Sequence, residues 1–188
     1  MTGTDAATVL IVDDEPATAD LYAEMLGETY DIVTAYGGKP GLESLDESVD
    51  VVLVDRRMPD LHGDELLEEL RARDVDCRVV MVTAIDPALD IIGLEFDDYL
   101  VKPVSMAELD DVVRRMLTRQ AHDDPVRDAL ALASKLTTLE AQVDDNELEA
   151  SPDYHALLDR FDDVRKRLEA IDRSDTLAAD LQARLDDT

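Results

Sequence analysis

Cysteine occurs once in this chain of 188 residues, at Cys77. An intrachain disulfide and a cysteine-rich metal site are therefore excluded. Basic residues are also scarce: 18 lysines and arginines stand against 46 aspartates and glutamates, for a formal charge of −28. Nonspecific binding to a nucleic-acid backbone needs clustered Lys and Arg, and this balance argues against it. No apolar stretch approaches the roughly 18 residues that a membrane span requires. Met1 to Ala7 lacks the basic-then-apolar order of a secretory signal, so a cytoplasmic protein without membrane association is expected. Glycine is missing from residues 121–188, and the turn of many helix-turn-helix units is not evident there. There is no Gly-rich phosphate loop, zinc-ligand spacing or His-based triad. His62, His122 and His155 are scattered and expected at the surface.

Apolar residues make up 45% of the chain, enough for a sizeable core. The acids are spread along the whole length rather than massed in one tail. Self-repulsion of this size loosens a compact state unless salt screens it. The distribution favours a salt-adapted protein over an acidic mesophilic one or one with a disordered acidic tail.

Three apolar runs end in particular charged residues. Val9-Leu10-Ile11-Val12 ends in Asp13-Asp14, Val51-Val52-Leu53-Val54 in Asp55, and Tyr99-Leu100-Val101 in Lys102-Pro103. A fourth, Val79-Val80-Met81-Val82, ends in Thr83-Ala84. The first 120 residues alternate strand and helix. Strands are expected near 8–12, 31–36, 51–54, 78–82 and 98–101. Pro16 opens a helix to about Leu26, and short helices are expected around Pro40–Leu45 and Pro87–Ile92, the latter stopping at Gly93. A further helix takes Glu65–Ala72. Ser105 with Glu108 forms a capping box for the next. Five βα units predict an α/β fold with a doubly wound, five-stranded parallel sheet covered on both faces, which explains the continuously apolar strands. The carboxyl ends of parallel strands line one crevice. Three carboxylates, a hydroxyl and an ammonium therefore converge on one spot, a site for a divalent cation and a phosphoryl group.

In this order and at these strand ends, Val12-Asp13-Asp14-Glu15-Pro16, Asp55-Arg56-Arg57-Met58-Pro59 with Gly63, Thr83-Ala84 and Asp97-Asp98-Tyr99-Leu100-Val101-Lys102-Pro103 resemble the receiver domain of two-component response regulators, a flavodoxin-like fold, over nearly all of residues 7–119. The resemblance implies that Asp55 is the phosphoacceptor. It implies that Asp13, Asp14, Asp55 and the backbone carbonyl of Arg57 hold Mg²⁺, and that Lys102 and Thr83 bind phosphoryl oxygens. Thr83 and Tyr99 would form the switch, and Lys102–Pro103 would be a cis peptide. The chemistry agrees: three close carboxylates need a cation to stay ionised, Mg²⁺ prefers oxygen ligands, and a carboxylate can attack phosphorus. Taken singly, Asp13-Asp14 reads equally as a helix N-cap, Thr83 as a strand residue, Tyr99 as core and Lys102 as a solvated charge. Two features depart from the family: Glu95-Phe96 replaces a common Gly-Ala, and the Thr83-to-Lys102 interval is short, so the fourth helix is expected to be clipped. Arg56 and Arg57 read either as tuners of the acyl phosphate or as a solvated loop pair.

Beyond Gln120, Ala121–Pro125 reads as a linker. Ala129, Leu132, Leu136, Leu139 and Val143 then recur at spacings of three and four, and so do Tyr154, Leu157, Phe161, Val164, Leu168 and Ile171. Joined by the polar stretch Asp144–Ala150, these stripes predict an antiparallel helical hairpin with a coiled-coil seam; Leu177, Leu181 and Leu185 offer to extend it, while Asp186-Asp187 and the polar end favour fraying. Ala131-Leu132-Ala133-Ser134-Lys135, Leu139-Glu140 and Tyr154 resemble the HalX domain that follows receiver domains in haloarchaeal regulators. The expected organisation is a receiver over 1–120 and a HalX-like hairpin over 126–188.

The expectation is a response regulator, not an enzyme, phosphorylated by a sensor histidine kinase and switching a helical output. That helical unit would contact protein rather than nucleic acid: off-seam residues such as Leu130 and Leu158 would meet the receiver domain, a second copy of the unit or another protein partner. An Asp-nucleophile, Mg²⁺-dependent phosphatase is the enzymatic alternative; such enzymes place a second acid two residues after the nucleophile, where Arg57 stands. A constitutive scaffold is the third, disfavoured because every site residue is present.

Overall fold

A computed structural model describes residues 6–73, 75–120 and 124–186, with side chains 119, 120, 124 and 171–186 left aside. His122 and most of the expected linker lie outside the described residues. Five strands, β1 (Thr8–Val12), β2 (Asp31–Ala35), β3 (Val51–Val54), β4 (Arg78–Thr83) and β5 (Asp98–Val101), form one sheet in the order β2-β1-β3-β4-β5. All neighbouring pairs are parallel, with Val9 opposite Val51 and Val54 opposite Met81. Residues 9–12 and β3 and β4 are buried throughout, as the apolar runs require of strands covered on both faces.

One face is covered by α1 (Pro16–Leu26) and α4 (Met106–Gln120), through Ala19, Tyr22, Leu26, Leu109, Val112, Val113 and Met116. Pro16 sits in the first turn of α1, where its missing N–H costs nothing. Ser105 and Glu108 exchange hydrogen bonds at the start of α4, the expected capping box. The other face is covered by α2 (Gly38–Glu43) and α3 (Gly63–Ala72), the latter burying Leu66, Leu67 and Leu70.

Between β4 and β5 the chain forms only a 3-10 turn, Leu89–Gly93. The expected helix over Pro87–Ile92 is thus shorter, and the turn leaves sheet surface beside β5 to be covered. The C-terminal helices supply that cover. Helix α5 (Asp124–Gln142) lies against β5 and the 3-10 turn, and α7 (Pro152–Asp186) packs antiparallel to α5 and also meets the turn. Leu132, Leu136, Leu139, Tyr154, Leu157 and Val164 are buried in one continuous core with Val79, Met81, Ile91, Phe96 and Tyr99. The hairpin seam expected from spacing therefore forms, but it is part of the sheet's own core.

One further expectation changes: the polar connector contains a short helix, α6 (Asp145–Ala150), because Asp144 caps it from its side chain and Leu148 is buried. Of the two outcomes open for the end of the hairpin, extension holds, since α7 runs to Asp186. Of the surfaces open to it, Leu158 meets the receiver side, partly buried against the shared core.

Candidate functional site

The carboxyl ends of β1, β3, β4 and β5 bring the expected residues together. Asp13 is 2% exposed; its Oδ1 accepts from the Glu15 backbone at 2.9 Å and its own N–H donates to Ala35 O at 3.1 Å. Asp55 is fixed by its N–H to Val12 O at 2.9 Å, and its Oδ1 accepts from Arg56 N at 2.8 Å. One carboxylate oxygen from each of Asp13, Asp14 and Asp55 lies within 4.8 Å of the others. The Lys102 ammonium donates to Asp13 Oδ2 at 2.6 Å and stands 3.6 Å from Asp55 Oδ2. Lys102 is placed by its N–H to Thr83 O at 2.8 Å, and the Lys102–Pro103 peptide is cis.

Burial pushes the Asp13 carboxyl above the usual carboxylate range, against the pull of Lys102. For Lys102, burial works against the charge, but the contacts with Asp13 and Asp55 prevail and hold it protonated. Three carboxylates and one ammonium leave a local charge of −2. This compact, all-oxygen donor set with partly buried walls suits a hard divalent cation. Removing water from the like-charged trio makes that compensation more valuable still.

Gly63 makes room for the geometry. A Cβ there would meet the Asp55 carbonyl oxygen at 2.4 Å and Arg56 Cα at 2.9 Å, so only glycine lets α3 start directly under the loop after β3. Thr83 is 1% exposed, and its hydroxyl oxygen accepts from Ile85 N at 3.4 Å, a long contact. Tyr99 is 6% exposed and donates from its hydroxyl to Ile85 O at 2.8 Å, so both expected switch residues are tied to the loop after β4.

Arg57 is exposed, whereas Arg56 is not a solvated loop residue. It is 8% exposed and grips Asp64 with Nε and Nη2, both at 3.0 Å, and Asp90 with Nη2 at 2.5 Å. Asp97 and Asp98 stay outside the carboxylate cluster. Asp97 accepts from Val79 N at 2.8 Å and pairs with Arg71 and Arg78, while Asp98 pairs with Arg115 and accepts from Ser134 at 2.6 Å. Sequence reasoning gave no role to Lys135. It is 6% exposed, donates to Ile92 O at 3.0 Å and Leu94 O at 2.5 Å, and lies 4.9 Å from the Phe96 ring centre. Its signal was a lone lysine one residue before a seam leucine, on the apolar side of α5.

Residues 9–114 match the response regulator receiver domain, and residues 118–188 match the HalX domain. The chain belongs to the response regulator receiver family. A HalX domain follows the receiver within it. A Haloferax volcanii protein named "Putative transcriptional regulator" is 46% identical over 87% of this chain and 27% of its own length. Response regulator ArlR of Staphylococcus saprophyticus is 35% identical over 60% of this chain and 53% of its own length. The chain thus spans about half or less of these relatives. Among solved structures, the receiver domain of Francisella response regulator 1452 aligns with a TM-score of 0.55 and 31% identity, over 60% of this chain and 98% of that one. A CheY-like receiver domain from Methanospirillum hungatei aligns at 0.56 and 28%, over 61% and 96%. The expected five-stranded parallel α/β fold and the halophilic character both agree with these relatives. Among the described residues, no helix is long and apolar enough to cross a membrane.

Proposed function

We propose that this response regulator is switched by phosphorylation of Asp55, with a sensor histidine kinase as the phosphoryl source. The observation that carries the reading is the Asp13–Asp14–Asp55 carboxylate cluster with the Lys102 ammonium 3.6 Å from Asp55 Oδ2. An Asp55 carboxylate oxygen attacks phosphorus and the O–P bond forms; the donor's P–N bond breaks, its electron pair leaves on the imidazole nitrogen, and that nitrogen takes a proton from solvent. Asp13, Asp14, Asp55 and the Arg57 carbonyl are the residues that would hold Mg²⁺. When bound, Mg²⁺ supplies positive charge that offsets the transferring phosphoryl group. Lys102 provides a fixed charge for one phosphoryl oxygen, and it must loosen its contact with Asp13 to do so. Thr83 provides a hydroxyl for another, since its present bond to Ile85 N is long and easily exchanged.

The domain reading is a receiver over 1–120 whose state is passed to helices in 126–188. Those helices act on protein partners, a second copy of the chain among them. Residues 121–188 carry 8 bases against 18 acids, which disfavours a DNA backbone as the target. The test is intact-mass measurement after treatment with a small phosphodonor and Mg²⁺. One phosphoryl group should be added, and Asp55→Asn should abolish it; label retained in that variant would refute the assignment. Lys102→Ala should still bind Mg²⁺ yet lose most of the downstream response, and a response at the wild-type level would remove Lys102 from the site.

A further inference from the structure

A cavity of about 280 Å³ opens where the receiver meets the C-terminal helices. It lies at the amino ends of β4 and β5, the opposite edge of the sheet from the Asp55 cluster. On the receiver side it is lined by Arg78, the first residue of β4, by Phe96 and Asp97 just before β5, and by Arg71 at the end of α3. On the hairpin side it is lined by Lys135 and Leu132 of α5 and by Arg160 of α7. Both units therefore supply its walls.

Four cations, Arg71, Arg78, Lys135 and Arg160, stand here against three acids, Glu95, Asp97 and Asp128, an excess of one positive charge. That excess is unusual in a chain whose formal charge is −28. Burial sharpens it. Arg78, Lys135 and Asp97 are 7%, 6% and 5% exposed, whereas Glu95 and Asp128 face solvent. Molar salt screens the exposed acids and leaves the covered cations their field. The buried acid, Asp97, is already held by Arg71 and Arg78.

The cations are also short of acceptors. Arg78 gives Nη1 to Asp97 and Nη2 to Asp76, and its buried Nε has no hydrogen-bond partner among the described residues. Lys135 gives two of its three N–H donors to the Ile92 and Leu94 carbonyls. Arg160 makes no hydrogen bond or ion pair with another described residue. Burial and the like charge of Arg160 both work against the Lys135 ammonium. A covered cation without full compensation is costly, and an anion entering the cavity would compensate it. The planar fork of Arg160 matches the two oxygens of a carboxylate. A monoanion neutralises an excess of one. The space is just under the about 300–1,000 Å³ of drug-sized ligand pockets, which limits the occupant to a few carbons. Phe96 and Leu132 offer apolar surface for them.

We propose that this cavity binds a small free monocarboxylate, held by the Arg160 fork and the third N–H of Lys135. Because the walls come from the receiver and from the hairpin together, the complete site exists only while α5 and α7 are seated on the sheet. The ligand therefore stabilises the joined form by mass action. The site is separate from the Asp55 cluster: the two share no residue, and no step of phosphoryl transfer passes through it.

Propionate, with propionamide as its uncharged counterpart, tests this on the full chain in molar sodium chloride. Calorimetric titration should give saturable propionate binding, one per chain, with a Kd on the order of 1 mM for so small a ligand. The thermal midpoint should climb with propionate and then level off. Propionamide should do neither. Arg160→Gln, a change at an exposed position, should leave the ligand-free midpoint in place and weaken propionate by about threefold to tenfold, the weight of one partly exposed charge-assisted contact. Arg160→Glu should abolish saturable binding, while Arg114→Gln, on the exposed side of α4, should bind as wild type does. Propionate binding unchanged in Arg160→Glu, or propionamide bound as tightly as propionate, would overturn the proposal. A cavity filled by chloride instead would show as no propionate binding at all, which overturns it too. Inorganic phosphate bound more tightly than propionate would overturn the carboxylate class.

Discussion

Lys135→Met removes a buried charge while keeping a long flexible side chain in place. Burial in the seam, with Arg160 adding like-charge repulsion, pushes the Lys135 ammonium down from its ordinary 10.5 to about 8. In the unfolded chain the same group titrates near its ordinary value. Between about pH 8 and 10.5 the unfolded state therefore binds more protons than the folded state, and stability rises with pH over that window. Below it Lys135 is charged in both states and the full penalty is present; above it the penalty is gone. At 1.36 kcal/mol per unit, the swing is at most about 3 kcal/mol. The Ile92 and Leu94 carbonyls and the Phe96 ring favour the ammonium and hold the swing to that limit or less. The methionine variant has nothing to titrate there, so the difference in unfolding free energy, wild type minus variant, should grow by about 1–3 kcal/mol from pH 8 to pH 10.5. Denaturant titrations at fixed molar salt across that window measure it. Near neutral pH the net effect is small, because relief from a buried charge is offset by two carbonyls left without a donor, each costing about 1–3 kcal/mol. The slope is what decides. A difference that stays flat across the window would show that Lys135 is solvated or carries an ordinary pKa, and α5 would not be seated as described.

Salt should act on the whole molecule: with a charge of −28, the thermal midpoint should climb from low salt into the molar range, as the Debye length falls from about 30 Å at 0.01 M to about 3 Å at 1 M. A flat midpoint would remove the halophilic reading. Leu139→Ala, at a fully buried seam position, should cost about 2–5 kcal/mol, and circular dichroism should show the helices and the sheet melting together. Two separate transitions would mean that the helical unit is independent of the receiver. Removing residues 121–188 should for the same reason lower the receiver's own midpoint, and an unchanged midpoint would contradict the shared core.

The carboxylate cluster was legible in the sequence because strand ends in a parallel sheet are few and each is marked by a change from apolar to polar. That register set Asp13, Asp14, Asp55, Thr83 and Lys102 at the ends of neighbouring strands, while the roles expected of them came from their joint likeness to a receiver domain. Arg56 was not legible, since a charged residue in a loop looks solvated until Asp64, at the start of the next helix, and Asp90, distant in sequence, are seen to close over it. The same holds for Phe96 and Lys135. The first appeared as a departure from a Gly-Ala pattern, the second as a lysine in a helical stripe, and only their stacking explains both. The 3-10 turn was visible as a shortened interval. Spacing alone shows that a helix has an apolar stripe but not what lies against it, so the cover that α5 gives to β5 could not be read from it.

A core shared between the sheet and the seam of α5 and α7 has a consequence for biosynthesis. A receiver that covers both of its own faces can finish folding once its last helix has left the ribosome. Here Ile91, Phe96 and Tyr99 share one core with Leu136, Leu157 and Val164 across a long stretch of chain, and closing that core waits until the second half of the hairpin has been made. Long-range closure is slow, and apolar surface left open in the meantime is prone to wrong partners. The dense acidic exterior suits that interval: nascent chains bearing the same strong charge repel one another while the face beside β5 is still bare.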